Sequence, residues 1–226
     1  MFGIIGAMQV EIEGLKKSMT DMSEEEISGV TFTKGKLSGQ DVVVAVCGVG
    51  KVFAAICTEA MILHFHVDHV INIGVAGSVT DKLKVLDVAV AESVVQHDMN
   101  TTAIGDPLGL ISGINKINLK ADANLNKAIC DTMNELNVHH EVGTLASGDL
   151  FVDSPEQREK IHERFDALAA DMEGASIGQV CYVNKVPFSI IRSISDAEGS
   201  AMDFSEFCEK AAEISIKVVI GALQRA

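Results

Sequence analysis

Two carboxylic acids close apolar runs in this sequence. Glu11 follows FGIIGAMQV, a buried-strand pattern that opens into a helix. Asp196 follows VPFSIIRSIS, a second apolar run that halts at Ser195 and soon meets a glycine. If the two strands are neighbours, these acids face each other across a substrate. One carboxylic acid then protonates a leaving group, while the other carboxylate orients water on the opposite side of the reacting carbon. Ser195 is placed to steer Asp196 by local hydrogen bonding. A third acid comes from ADMEG at 170–174, where Asp171 and Glu173 stand two apart and do not share a helical face. If a helix begins there, one caps it and the other points into the crevice. A carboxylate in a pocket suits sugar hydroxyls, because it accepts two hydrogen bonds. Each acid also has an ordinary reading: Glu11 or Glu13 as a first-turn helix acid, Asp196 as a turn cap, Asp171 and Glu173 as a helix N-terminal pair. Met8, Phe151, Met172 and Phe204 would supply apolar walls, or plain core packing.

The elements that must position these groups alternate along the chain. Strand patterns fall at 2–6, 30–37, 41–50, 68–77, 87–98, within 139–152, and at 186–195. The strands at 30–37 and 41–50 are joined by SGQD, which reads as a hairpin. Helix patterns fall at 51–65, 121–137, 170–185 and 203–224, and a further helix opens at Ser154–Pro155, a cap followed by a favoured first position. Residues 99–118 are polar and read as a long loop. Several strands are apolar on both faces, which requires helices on both sides. The expectation is one three-layer α/β/α domain over residues 1–226 with a mixed central sheet. Ligands in such sheets gather beyond the carboxyl ends of strands. Glycine and polar signals recur there: GAMQVE at 6–11, GVGK at 48–51, GVAG at 74–77, SGD at 147–149 and SISD at 193–196. Each alone is a tight turn; together they point to one crevice.

Other chemistries are poorly served. GIIGAM lacks the GxGxxG of a dinucleotide fold, and GVGKVFA lacks GxxxxGK[ST], because Val52 follows the lysine. His64, His66 and His69 cluster at a helix end and His139–His140 precede a strand, without metal-ligand spacing. His97–Asp98 closes a strand with a polar pair, which fits structural bracing as well as function. No cofactor and no metal are expected. The formal charge of −14 repels nucleic acid and anionic lipid. No apolar run reaches 18 residues, so no membrane span is expected. Five scattered cysteines without CxxC spacing read as buried thiols of a cytoplasmic protein.

Taken in order, GIIGAMQVE, GVGK, GVAG, SGDLFV, ADMEGA and RSISDAEG resemble the bacterial 5′-methylthioadenosine/S-adenosylhomocysteine nucleosidases, within the purine nucleoside phosphorylase-like group. The likeness runs from residue 2 to about 223. It implies a homodimer that hydrolyses the bond between adenine and a thioribose-type sugar without a cofactor. It gives Glu11 the role of water activator and Asp196 that of general acid at adenine N7, with Ser195 fixing Asp196. Glu173 falls on the carboxylate that holds the ribose hydroxyls, and Met172 on the methionine beneath the sugar. Phe151 matches the ring that stacks on adenine, and the Val152 backbone the group that hydrogen-bonds the base edge. Met8, Val49, Gly77 and Phe204 match the remaining pocket positions. Arg192 matches an arginine held by acids near the site. The loop 101–113 would help complete the neighbouring subunit's pocket, with Ile104 where relatives often carry phenylalanine. A futalosine-type nucleosidase, a phosphate-dependent nucleoside phosphorylase and a non-catalytic purine-binding domain are the alternatives.

Overall fold

The structure is a computed structural model and describes residues 1–196 and 204–225. The side chains of Asp196 and Phe204 lie outside the described residues, although the backbone of both is described.

At the centre is β1 (Phe2–Gly6), buried along its whole length. So apolar a strand needs partners on both edges and cover on both faces. It pairs in parallel with β4 (Gln40–Val46) and β5 (His69–Ser78). Beyond β4 the sheet continues as an antiparallel meander through β3 (Val30–Leu37) and β2 (Thr20–Ile27). Both meander turns place two successive residues at positive φ, Ser28–Gly29 and Ser38–Gly39. That is the twist a two-residue hairpin requires, and Gly at the second position accepts it without strain.

Beyond β5 the sheet curls. β5 pairs in parallel with β10 (Phe188–Asp196) and, at its far end, antiparallel with β9 (Ala167–Asp171). β10 runs antiparallel to β6 (Val88–Gln96), β6 parallel to β8 (His140–Ser147), and β8 parallel to β9. A two-residue β7 (Leu119–Lys120) adds to β6. The path from β5 through β10, β6, β8 and β9 therefore returns to β5. Register slips at Ala91/Ser93 and Ile194/Asp196 give the local bends such closure needs.

Helices cover both faces. Ile12 and Leu15 of α1 (Gln9–Lys17), Ile129 and Met133 of α3 (Ala123–Glu135), and Val218 and Val219 of α6 (Phe204–Leu223) share one core with Ile4, Val42 and Ile71 of the sheet. Cys57 and Met61 of α2 (Lys51–Leu63) and Ile177 and Cys181 of α5 (Gly174–Asn184) share the other with Ile5, Val43 and Val70. Successive sheet residues thus alternate between two cores. A third cluster seats Ile161 of α4 (Pro155–Phe165) on Val95, Ala146 and Ala170. Ser154 caps α4 by accepting from the Gln157 N–H, with Pro155 at the first helical position. The architecture is the three-layer α/β/α sandwich with a mixed central sheet that the apolar pattern implies.

Two strands depart from the sequence reading. β2 carries TDMSEEEI, nearly all exposed, so no apolar face marks it. The helix expected over 170–185 begins at Gly174, because ALAAD at 167–171 is the buried strand β9. Alanine favours helix in isolation, but here pairing with β5 and β8 holds the segment extended and buried. The 99–118 segment is irregular as expected, apart from one 3-10 turn at Thr102–Ile104 and an isolated bridge between Ile111 and Lys116.

Candidate active site

The strand ends do converge. One cavity of about 170 Å³ collects residues from six of them. Met8 and Glu11 come from the β1–α1 junction, Val49 from the turn after β4, and Gly77 from β5. Phe151 and Val152 come from the segment after β8, Met172 and Glu173 from the β9–α5 junction, and Ser195 from β10. All nine of these sequence candidates line the same space. Phe151 is 73% exposed, so its ring stands at the mouth rather than in the core. The Asp196 backbone pairs with Gly77, which puts its strand end at the same rim.

Glu11 is the third residue of α1, whose cap residue Met8 is extended and offers no side-chain cap. The carboxylate supplies what Met8 does not. Its Oε2 accepts from the Ala7 N–H at 2.7 Å and the Met8 N–H at 2.9 Å, half of a capping box. Its Oε1 faces Gly74, where an added Cβ would come within 3.1 Å of it and 3.4 Å of Arg192 Nη1. A side chain at that position would wedge the acid and the cation apart. Burial pushes the Glu11 carboxyl above its ordinary range, against the pull of the Met8 N–H, Arg192 and the Ala7 and Val75 N–H groups. A carboxylate of raised pKa is a better proton acceptor than one in water.

Glu173 occupies the cap position of α5 without capping it. Its Oε1 instead accepts from the Gly50 N–H at 2.9 Å. Gly50 holds φ +100° and ψ 162°, a conformation essentially reserved for glycine, and so aims that N–H across the pocket. Burial, and next the neighbouring Asp171, push the Glu173 carboxyl up to about 7, with Arg192 and the Gly50 N–H pulling the other way.

Asp171 takes the capping role that Glu173 leaves. It accepts weakly from the Gly174 N–H at 3.3 Å and closely from the Ser147 hydroxyl, whose oxygen in turn accepts from the Ala175 N–H at 2.7 Å. The same carboxylate meets Arg192 Nη2 at 2.7 Å. Arg192 also donates to the Asn72 side-chain oxygen and to the Ile191 carbonyl, and reaches Glu173 at 4.0 Å. Both acids of ADMEG border the cavity, but Asp171 is taken up by Arg192, Ser147 and the Gly174 N–H, whereas Glu173 is held through Oε1 by the Gly50 N–H. Asn72 and Ser147 were not singled out from sequence as Arg192's and Asp171's partners. Asn72 is a lone polar residue inside an apolar strand, and Ser147 belongs to the SGD strand end; those were the available signals.

Among the described residues, no group of three or more His, Cys, Asp or Glu is placed to hold a metal ion, and no helix is long and apolar enough to cross a membrane.

This fold and this pocket mark a class. The profile of the phosphorylase superfamily matches residues 1–224. A 5′-methylthioadenosine/S-adenosylhomocysteine nucleosidase of Staphylococcus epidermidis is 41% identical over 222 residues, 97% of each chain. The crystal structure of the Campylobacter jejuni nucleosidase of the same name superposes with a TM-score of 0.95 at 34% identity, covering 100% of this chain and 99% of that one. A Helicobacter pylori structure described as futalosine hydrolase superposes with a TM-score of 0.93 at 37% identity, covering 100% and 97%. The chain belongs to the 5′-methylthioadenosine/S-adenosylhomocysteine nucleosidase family of the phosphorylase superfamily.

Proposed function

We propose that this protein hydrolyses the N-glycosidic bond of 5′-methylthioadenosine and S-adenosylhomocysteine, releasing adenine and the corresponding thioribose. The observation that carries this reading is Glu11: a buried carboxylate, gripped through one oxygen by two backbone N–H groups and lining the cavity. In the proposed reaction the C1′–N9 bond lengthens and charge separates, positive on the sugar and negative on the base. Asp196 donates a proton to adenine N7, so that the base leaves neutral. Water adds to C1′ and gives its proton to Glu11. Glu173 accepts hydrogen bonds from the ribose hydroxyls and, with Glu11, favours the oxocarbenium-like sugar. Met172 lies under the sugar, and Phe151, the Val152 backbone and Phe204 hold the base and its surroundings. Met8, Val49, Gly77 and Ser195 complete the pocket.

The test is adenine release in phosphate-free buffer from methylthioadenosine, S-adenosylhomocysteine and a futalosine-type nucleoside. The last is included because a similar Helicobacter pylori structure is described as futalosine hydrolase. Glu11→Gln should cut kcat by about 10²–10⁴, the range for one general base, while binding of the nucleoside by calorimetry persists. A wild type silent on the first two substrates, or a Glu11→Gln variant of unchanged kcat, overturns the reading.

The working unit we propose is a homodimer. Val52, Phe53, Ile56 and Leu63 of α2 and Tyr182 and Val183 of α5 are exposed apolar residues on two helices that pack together. Val52 and Phe53 open α2 just after Val49, which lines the cavity with Leu150 and Phe151, so a second copy on this end of the face would also wall the pocket. Ile104, 80% exposed on the 101–113 loop, is the residue offered to the neighbour. A cytoplasmic setting fits the free thiols of Cys47, Cys57 and Cys181, all buried.

A further inference from the structure

The polar cluster at the end of β6 lies outside the cavity lining, yet it ties together two of the segments that wall the cavity. Asp98, just past β6, accepts from Lys51 Nζ at 2.7 Å through one oxygen and from the Asp149 N–H at 2.9 Å through the other. Asp149 reciprocates, its Oδ1 accepting from the Lys51 N–H at 2.8 Å. Lys51 Nζ also donates to Gln96 Oε1 at 3.1 Å, and the Lys51 carbonyl accepts from Ser176 Oγ of α5 at 2.7 Å. Lys51 is the first residue of α2 and follows Gly50, the donor to Glu173. Asp149 precedes by two and three residues Phe151 and Val152, the proposed seat of the base. His97 lies directly under Gly148, where an added Cβ would fall 2.5 Å from its Nε2. Neither Lys51, Asp98 nor Asp149 lines the cavity.

We propose that Lys51, Asp98 and Asp149 form a clasp that positions the base-binding segment 150–152 against the turn carrying the Gly50 N–H. Its three members come from three different strand ends, so no one of them can be displaced without loosening two walls. Two of its bonds involve a charged side chain and a main-chain N–H, and a third joins Lys51 to Asp98. Such contacts are stronger than neutral ones and fix direction. Burial pushes the Asp98 carboxyl up, but Lys51 and the Asp149 N–H outweigh it and hold it below its ordinary value, so Asp98 is ionised wherever the protein is folded at neutral pH. These are positioning residues. They touch neither the sugar nor the base, and act through the loop and the turn. The consequence is selective: seating of the base depends on the clasp, whereas the acids that move protons are held by other bonds, Glu11 by the Ala7 and Met8 N–H groups.

The inference rests on the proposed nucleosidase reading for its kinetic arm and is independent of it for its structural arm. The variants are Asp98→Ala, Lys51→Met and the double variant, with Lys36→Ala as control, since Lys36–Asp41 is a comparable ion pair on the distant meander. In the unliganded protein, hydrogen exchange of the 149–152 amides should quicken about tenfold or more in each single variant and stay unchanged in the control. With methylthioadenosine, KM should rise about tenfold, equivalent to about 1.4 kcal/mol of lost seating, with kcat within threefold. The double variant should be little worse than the poorer single one, because both remove the same link. If Asp98→Ala does not fold, Asp98→Asn, which keeps an oxygen for the Asp149 N–H but loses the charge, carries the comparison. Unchanged exchange at 149–152 refutes the clasp. So does a kcat that falls as far as KM rises, or a KM within twofold of wild type. A wild type that releases no adenine, with exchange behaving as stated, refutes the nucleosidase reading and leaves the clasp standing.

Discussion

Glu173 sets binding against stability, and the two can be separated by one substitution. The side chain is buried beside Asp171, and its carboxyl is pushed from an ordinary 4.5 up to about 7, mainly by burial. An acid whose folded pKa is raised holds its proton more tightly in the folded than in the unfolded chain. Folding therefore loses stability as pH rises from about 4.5, and the loss is complete above about 7. At about 1.4 kcal/mol per pH unit, that interval corresponds to on the order of 3 kcal/mol. Glu173→Gln removes the ionisation and keeps an amide oxygen where Oε1 now accepts from the Gly50 N–H at 2.9 Å. The variant should match wild type near pH 4.5 and exceed it by about 1–3 kcal/mol at pH 8.5. The loss of Arg192's attraction at 4.0 Å is the opposing contribution and sets the lower end of that range. Urea unfolding at the two pH values, each fitted for midpoint and slope, measures the difference directly.

The same substitution should harm catalysis. Two hydroxyl hydrogen bonds to a charged acceptor, at about 1.5 kcal/mol each, amount to roughly a hundredfold in kcat/KM. A protein that is more stable at alkaline pH and much poorer as an enzyme is thus the expected outcome. A variant equally stable relative to wild type at both pH values would refute the burial argument for Glu173. One destabilised at pH 8.5 would show that the ionised form is favoured by its surroundings, contrary to the balance described here.

Arg192→Met should behave oppositely. Removing the cation leaves Asp171 and Glu173 buried without it, which costs about 3–5 kcal/mol, seen as a lowered urea midpoint; a loss below about 1 kcal/mol would mean that Ser147 and the Gly174 N–H suffice for Asp171. For the dimer, Phe53→Glu should convert the species seen in sedimentation equilibrium from two chains to one and lower turnover together; a wild type that sediments as one chain removes the proposal.

How much of this was legible in the sequence depends on the kind of signal. The layers follow from apolar strands such as FGIIG, which need cover on both faces, and the start of α4 from Ser154–Pro155. The cavity follows from polar residues at strand ends, because a parallel-rich sheet gathers its carboxyl ends on one side; Met8, Glu11, Val49, Gly77 and Glu173 meet for that reason. β2 was invisible because an edge strand with seven exposed positions out of eight has no apolar period. β9 was invisible because its alanines read as helix, whereas pairing with β5 and β8 makes the segment a strand. The division of labour within ADMEG was open for a related reason: which acid pairs with Arg192 depends on where β9 ends, and that is fixed by pairing with β5 and β8, not by local spacing.

The superfamily takes its name from phosphorolysis, so the choice of water over phosphate needs a physical cause within this pocket. Among the described residues lining the cavity, the charged side chains are Glu11, Asp171, Glu173 and Arg192. Arg192 is the one cation of that set, and it is turned to Asp171 at 2.7 Å, Asn72 and the Ile191 carbonyl. A phosphate dianion would have to draw it from those bonds and then sit beside Glu11, whose Oε1 approaches the same glycine as Arg192 Nη1. Two like charges at such range in a poorly hydrated site repel by several kcal/mol. Water suffers neither penalty. It needs a proton acceptor, and a carboxylate raised by burial, its other oxygen held by two N–H groups, is that acceptor. The same acid that makes phosphate unwelcome makes water reactive, so the preference for hydrolysis follows from a single side chain at the start of α1.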